Sequence, residues 1–368
     1  MSANLVANVT ISGNLFTTGT VTLNTQTMNV ASGFSFNQAS SASYPAYAQK
    51  PSQSAKTTGV SIISCGFSHT GVLLTDGTVR TFGYNIAGQL GINNTSSSRS
   101  TPVQVWNISS SATAVACGNN SVSGTGQTAI LLANGTVWTF GLNNLGQLGV
   151  NDTANRLTPV QVWGISSSAT AVACGGSTAV LLSNGTVQTF GPNNTGQLGV
   201  GDTISRLTPV QVVNITSATA VAVSSYQPGN QTAVLLNNGT VWTFGANGFG
   251  QLGVNDTASS RLTPVQVLNI TNAVGVSCGA YFTAVLLTDG TVQTFGSNSA
   301  GQLGINVAGG SRLTPVQVLN ITSAIAVACG QIHTAVLLAN GTVWTFGSNG
   351  SGQLGINIPG GTRQTPVQ

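Results

Sequence analysis

The sequence predicts an all-β protein, a β-propeller of four-stranded blades, on three observations. One block recurs six times, its period is near fifty residues, and every copy contains a hairpin signature. The block reads T-A-V-L-L-x-N-G-T-V-x-T-F-G-x-N-x-x-G-Q-L-G, followed by R-x-T-P-V-Q. Its Phe falls at Phe82, Phe140, Phe190, Phe244, Phe295 and Phe346, with steps of 58, 50, 54, 51 and 51 residues. Periods of this length belong to propellers, arrays and solenoids.

Within each unit an apolar run such as Ala179-Val180-Leu181-Leu182 leads through Asn184-Gly185 into the β-branched and aromatic run Thr186 to Phe190. The same turn pair stands at Asp76-Gly77, Asn134-Gly135, Asn238-Gly239, Asp289-Gly290 and Asn340-Gly341. It suits a type I′ turn with two positive-φ positions. A second strand pair is expected from P-V-Q-V-x-N-I and A-V-A-C-G, for example Pro315 to Ile321 and Ala326 to Gly330. No stretch has a helical period. Four strands of about five residues with their turns fill roughly fifty residues, the size of one propeller blade.

The last unit stops at Pro366-Val367-Gln368, and the first opens with Gly59 to Cys65, the part that the last one lacks. The expected propeller spans 59–368 and is closed by this N-terminal strand, which removes exposed sheet edges. Residues 1–34 alternate as strands do at Asn8-Val9-Thr10-Ile11, Gly19 to Leu23 and Thr27 to Val30, and read as a β-rich arm. Residues 35–58 form a Ser/Ala/Pro-rich linker. The arm gains by pairing with the exposed edge of another chain, or else packs on itself.

The motifs A-C-G-x-x-H-T, L-x-x-x-G-x-V-x-x-F-G and N-x-x-G-Q-L-G resemble the repeat of the regulator of chromosome condensation family over about residues 57–368. The resemblance implies a β-propeller, usually of seven blades. Either six blades form the ring or residues 1–56 supply a seventh that has lost the motif; the six motif copies favour six. It also implies precedents that grip proteins with one propeller face: nucleotide exchange on the GTPase Ran with nucleosome binding, plant photoreception, and inhibition of β-lactamases.

Charge is the abnormal quantity. Only 4% of the 368 residues are charged, against about a quarter in ordinary soluble proteins. There is no Glu, and the acids are Asp76, Asp152, Asp202, Asp256 and Asp289. With His69 and His333 as the sole imidazoles, little material exists for paired-carboxylate, triad or metal chemistry, so no enzyme and no cofactor are expected. Both His follow Cys-Gly at one repeat position, which gives them a structural role. The net charge of +4 is spread too thinly to point to nucleic acid.

Arg99, Arg156, Arg206, Arg261, Arg312 and Arg363 recur once per unit and form a ring. Three of them lie four or five residues after an Asp, so loop-holding ion pairs are the bland reading and an anionic partner the sharper one. Cys65, Cys117, Cys174, Cys278 and Cys329 share one slot, filled by Val223 in the remaining unit, and read as buried reduced thiols. The glycine-rich turns such as Gly83 to Gly88 lack the ending of a phosphate loop. Sequons such as Asn134-Gly135-Thr136 are by-products of the repeat. With no basic segment and apolar h-region at its start and no run approaching eighteen apolar residues, neither Sec export nor a membrane span is expected.

The residue before Thr-Phe-Gly alternates: Arg80, Trp138, Gln188, Trp242, Gln293, Trp344. With Trp106 and Trp163 after P-V-Q-V, these are the candidate contact points for a protein or a glycan, set against packing between blades. The few charges, the Asn/Ser/Thr/Gly-rich surface and the apolar arm favour a non-enzymatic structural or attachment protein. Its arm is expected to dock to a virion or extracellular assembly, with the propeller displayed outside. The alternatives are an intracellular regulator of the Ran-exchange kind, in the cytoplasm, or a glycan-binding propeller.

Overall fold

The computed structural model describes residues 59–95, 98–118, 125–224, 230–257, 260–357 and 360–368. The expected arm and linker, 1–58, lie outside them. Among the described residues twenty-four strands form six four-stranded antiparallel sheets, each a blade built from consecutive chain. In blade one, β1 (Val60–Cys65), β2 (His69–Leu74), β3 (Val79–Gly83) and β4 (Arg99–Gln104) pair in that order. Blade two runs from β5 (Ala112–Cys117) to β8 (Arg156–Gln161) and blade three from β9 (Ala169–Cys174) to β12 (Arg206–Gln211). Blade four spans β13 (Ala218–Val223) to β16 (Arg261–Gln266), and blade five β17 (Ala273–Cys278) to β20 (Ser311–Gln317). Blade six spans β21 (Ala324–Cys329) to β24 (Thr362–Val367).

Three local expectations are corrected. The Asn/Asp-Gly turns are not type I′, because only the Gly has positive φ, as at Gly77 (+81°) and Gly185 (+77°). Gly77 N donates to Leu74 O and Leu74 N to Thr78 O, the pattern of a type I turn closed by a glycine bulge. The side chain explains the choice: Asp76 Oδ1 accepts from both Thr78 N (2.9 Å) and Thr78 Oγ1 (2.7 Å), and Asn184 does the same for Thr186. The P-V-Q and A-V-A-C-G strands do not pair with each other, since β20 ends blade five and β21 opens blade six. β1 likewise pairs with β2 in its own blade and does not complete blade six.

Blades are apolar on both faces, so the cores lie between them. One cluster joins Leu73, Val79, Val105 and Ile108 to Ala112, Val115, Ile130 and Phe140 of blade two, and four similar clusters join the later pairs. The N-x-x-G-Q-L-G segment fills the gap between neighbours. Its Leu is fully buried, and its Asn and Gln side chains bond the loop backbone: Leu148 N donates to Asn143 Oδ1 and Leu145 N to Gln147 Oε1. A buried loop must satisfy its backbone groups, which is why this segment is amide-rich. Thr178 Oγ1 then reaches back across the interface to Gln147 O at 2.9 Å, and Thr128, Thr232, Thr283 and Thr334 repeat the bond.

Candidate protein-binding face

The recurring Arg is the first or second residue of each outer strand, and P-V falls near its end. In β4 and β8, which run from Arg99 and Arg156 to Gln104 and Gln161, the Arg and the residue two places beyond the strand therefore sit roughly 20 Å apart at its two ends. The expected ring of Arg and the expected Trp pair therefore occupy opposite faces of the propeller.

On the first face the Arg are held in their own loops. Arg156 pairs with Asp152, while Arg206 reaches Asp202 and Arg261 reaches Asp256, both at 2.5 Å. Arg312 donates to Ser311 O and Arg363 to Thr362 O. The bond from Arg206, followed by the Ile204 N–H, holds the Asp202 carboxyl below the usual carboxylate range. The Ala154 N–H, with Arg156 behind it, does so for Asp152. The pairs neutralise one another and the bland reading of the Arg ring accounts for these contacts.

The opposite face carries the hairpin turns and the links between blades. Trp106 is 50% exposed and Trp163 62%. Their backbone is fixed, with Trp106 N donating to Gly91 O and Trp163 N to Gly149 O. Leu268 and Leu319 hold the same register in blades four and five and are exposed too. Sequence reading missed these two; the shared place after P-V-Q-V was the signal. A cleft on this face is lined by Leu182, Ser183, Asn184, Gly185, Thr216 and Ser217.

The alternating Trp differ from the exposed pair. Trp138, Trp242 and Trp344 are half-buried, and each Nε1 donates to the Thr of its own turn, Thr136, Thr240 and Thr342, at 3.1–3.2 Å. Trp242 and Trp344 also pack on interblade clusters.

His69 is buried with Nε2 2.9 Å from Thr128 Oγ1 of blade two. The Thr128 hydroxyl spends its hydrogen on Gln89 O, so Nε2 donates and Nδ1 is left without a partner. Burial lowers its pKa to about 4, and the half-buried His333 is lowered by the same cause. Gln127 and Gln231 occupy the same register and reach Gly175 O and Gly279 O of the next blade. The position is an interblade tie. Cys117, Cys174 and Cys278 are buried free thiols, and burial pushes Cys174 up to about 12; Cys329 is less covered and Cys65 exposed, a departure from the expected buried set. Among the described residues no group of three His, Cys or Asp is placed to hold a metal, and no helix is long and apolar enough to cross a membrane.

A family model described as an RCC1-like domain matches residues 121–368, and two models of the regulator of chromosome condensation (RCC1) repeat match 76–123 and 60–89. The probable E3 ubiquitin-protein ligase HERC4 of Mus musculus is 37% identical over 132 residues, 34% of this chain and 12% of the ligase. The RCC2 homolog of Danio rerio is 32% identical over 253 residues, 61% of this chain and 40% of that protein. The chain thus spans well under two thirds of either relative. Prp20p of Saccharomyces cerevisiae, solved with a description of its binding to Gsp1p and histones, superposes with a TM-score of 0.74 at 20% identity. That superposition covers 84% of this chain and 76% of Prp20p.

These relatives overturn the expectation of a structural or attachment protein on a virion or extracellular surface. They carry the names of ubiquitin ligases and RCC proteins, which favours the intracellular alternative. The physical reason lies in the repeat: its Asn, Gln, Thr and Gly satisfy buried loops between blades, so their abundance reports the fold and not an exterior setting.

Proposed function

Because this chain belongs to the RCC1-like domain family, we propose that its propeller is the protein-binding part of an intracellular regulator and does no chemistry of its own. The observation that carries this reading is the row of exposed apolar residues at one register, led by Trp106 and Trp163. Exposed Trp in a fixed backbone is the usual anchor of a binding hot spot, and apolar groups left in water at one register of blades one, two, four and five mark an interaction surface. The Arg–Asp loops on the other face are already paired and supply the rim of the molecule with little net charge.

The partner class comes from the likeness to Prp20p, and the test uses its partners as probes: Gsp1p and histones. Binding of the full chain to each is measured by calorimetry, beside a Trp106→Ala/Trp163→Ala double variant. Binding by the unsubstituted chain, weakened at least tenfold in the double variant, supports the reading. No binding to either probe, or equal binding by the variant, overturns it. Release of guanine nucleotide from a Ran-type GTPase, followed in parallel, separates exchange activity from simple binding.

A further inference from the structure

Segments 131–141 and 337–347 have one sequence, L-L-A-N-G-T-V-W-T-F-G, so the hairpin turns Asn134-Gly135 and Asn340-Gly341 share their intrinsic chemistry. Both turns also form alike. Asn340 Oδ1 accepts from Thr342 N (3.0 Å) and Thr342 Oγ1 (2.7 Å), and Gly341 N donates to Leu338 O. Asn134 accepts from Thr136 and Gly135 N donates to Leu132 O in the same pattern. Their surroundings differ. Gly135 O accepts from Ala169 N of blade three at 3.0 Å, and a Cβ on Gly135 would stand 2.3 Å from Ser167 O of the link. The turns of blades one, three, four and five are held in the same way by Ala112, Ala218, Ala273 and Ala324 N. Among the described residues nothing lies within 4 Å of the Cβ position of Gly341 and no such donor meets its carbonyl; Gly341 is exposed where Gly135 is buried.

An Asn followed by Gly is prone to lose its side-chain amide, because glycine leaves the backbone nitrogen unshielded and free to turn. In that reaction a solvent base takes the Gly amide proton, the nitrogen bonds the Asn Cγ, and the Cγ–Nδ2 bond breaks with release of ammonia. Water then opens the cyclic imide at one carbonyl or the other, giving aspartate or isoaspartate. Attack requires the turn to open, since the Gly N–H is spent on the Leu carbonyl and the Asn Oδ1 on Thr. In five turns the next blade opposes that opening, and in the sixth no described residue does. We propose that Asn340-Gly341 is a self-modification site, at which the native chain converts asparagine to aspartate and isoaspartate ahead of its like turns. The aspartate product fits, because Asp76 and Asp289 stand at this register and accept the same two bonds from Thr78 and Thr291. It adds a negative charge to the face that carries Trp106 and Trp163. The two Asn-Gly pairs outside the hairpins, Asn247-Gly248 and Asn349-Gly350, are held back: both Asn are buried, and their Oδ1 atoms accept from Leu252 N and Leu354 N.

Peptide mapping by mass spectrometry, with isoaspartate resolved by chromatography, tests the proposal on the full chain incubated in mildly alkaline buffer, native and in urea. One interblade hydrogen bond fewer raises the open population about three- to tenfold, so native Asn340 is expected to convert about three to ten times faster than native Asn134. In urea the two are expected to convert at one rate, because their neighbours in sequence are the same. Equal rates in the native chain, or Asn134 ahead of Asn340, overturn the proposal. An excess at Asn340 that persists unchanged in urea overturns it as well, since the cause then lies outside the fold.

Discussion

The ring of Phe140 in blade two lies directly over the α-carbon of Gly91 in blade one, so close that a Cβ there would stand 2.7 Å from Cε2. Gly91 also has φ of +64°. The pair repeats as Gly149 with Phe190, Gly199 with Phe244, Gly253 with Phe295 and Gly304 with Phe346. It ties the last Gly of one unit to the Phe of the next, the two most regular features of the sequence.

Gly199→Ala is therefore expected to cost roughly 2 to 5 kcal/mol, from the left-handed backbone and from overpacking against Phe244. Urea unfolding of the full chain checks it, and a loss under about 1 kcal/mol contradicts the rivet described here.

Gly164 makes the opposite case. Its φ is +72° and nothing lies within 4 Å of the Cβ position, while Asn107, Asn214, Asn269 and Asn320 take φ of 57–59° at the same register. Gly164→Asn is expected to be neutral or to stabilise by up to about 1 kcal/mol, because it restricts the unfolded chain without straining the folded one. A thermal melt decides, and a clear fall in Tm goes against it.

Thr178→Val keeps the shape and removes the hydroxyl that bonds Gln147 O across blades two and three. Leaving that buried carbonyl without its donor is expected to cost about 1 to 3 kcal/mol. The comparison is Thr170→Val at an exposed residue, whose hydroxyl makes a longer bond of 3.3 Å to Leu181 O and whose loss is expected to be smaller. Equal losses in the two variants argue against an interblade contribution.

The buried His69 couples folding to pH. Its folded pKa is lowered to about 4 from an unfolded value near 6.5, so the unfolded chain binds the proton first. Stability from this group is complete above pH 6.5 and falls as pH drops towards 4, by roughly 3 kcal/mol in all. His69→Gln, which copies Gln127 and Gln231 at the same register, is expected to flatten that acid slope. Urea midpoints at pH 7.5, 5.5 and 4.5 measure it, and an unchanged slope in the variant means that another group titrates.

Quenching of tryptophan fluorescence by iodide should fall into two classes. Trp106 and Trp163 are exposed, while Trp138, Trp242 and Trp344 are half-buried with their indole N–H engaged. Trp106→Phe/Trp163→Phe is expected to remove most of the readily quenched emission and leave stability within about 0.5 kcal/mol, as exposed positions do. If the easily quenched fraction persists, the exposed pair is misassigned.

The sequence by itself determined the all-β class, the unit, the six hairpins and the repeat family, because a register repeated six times averages out local ambiguity. It also marked Trp106 and Trp163, through their shared place after P-V-Q-V. It could not tell these from Trp138, Trp242 and Trp344, since exposure depends on what the neighbouring blade covers. Tertiary structure alone decided that the outer and inner strands around each link belong to different blades, that β1 stays in blade one, and that Asp76 and its equivalents accept from Thr rather than adopt positive φ. Strand pairing and burial are set between segments some fifty residues apart, and a local pattern carries no record of which of two faces meets its partner.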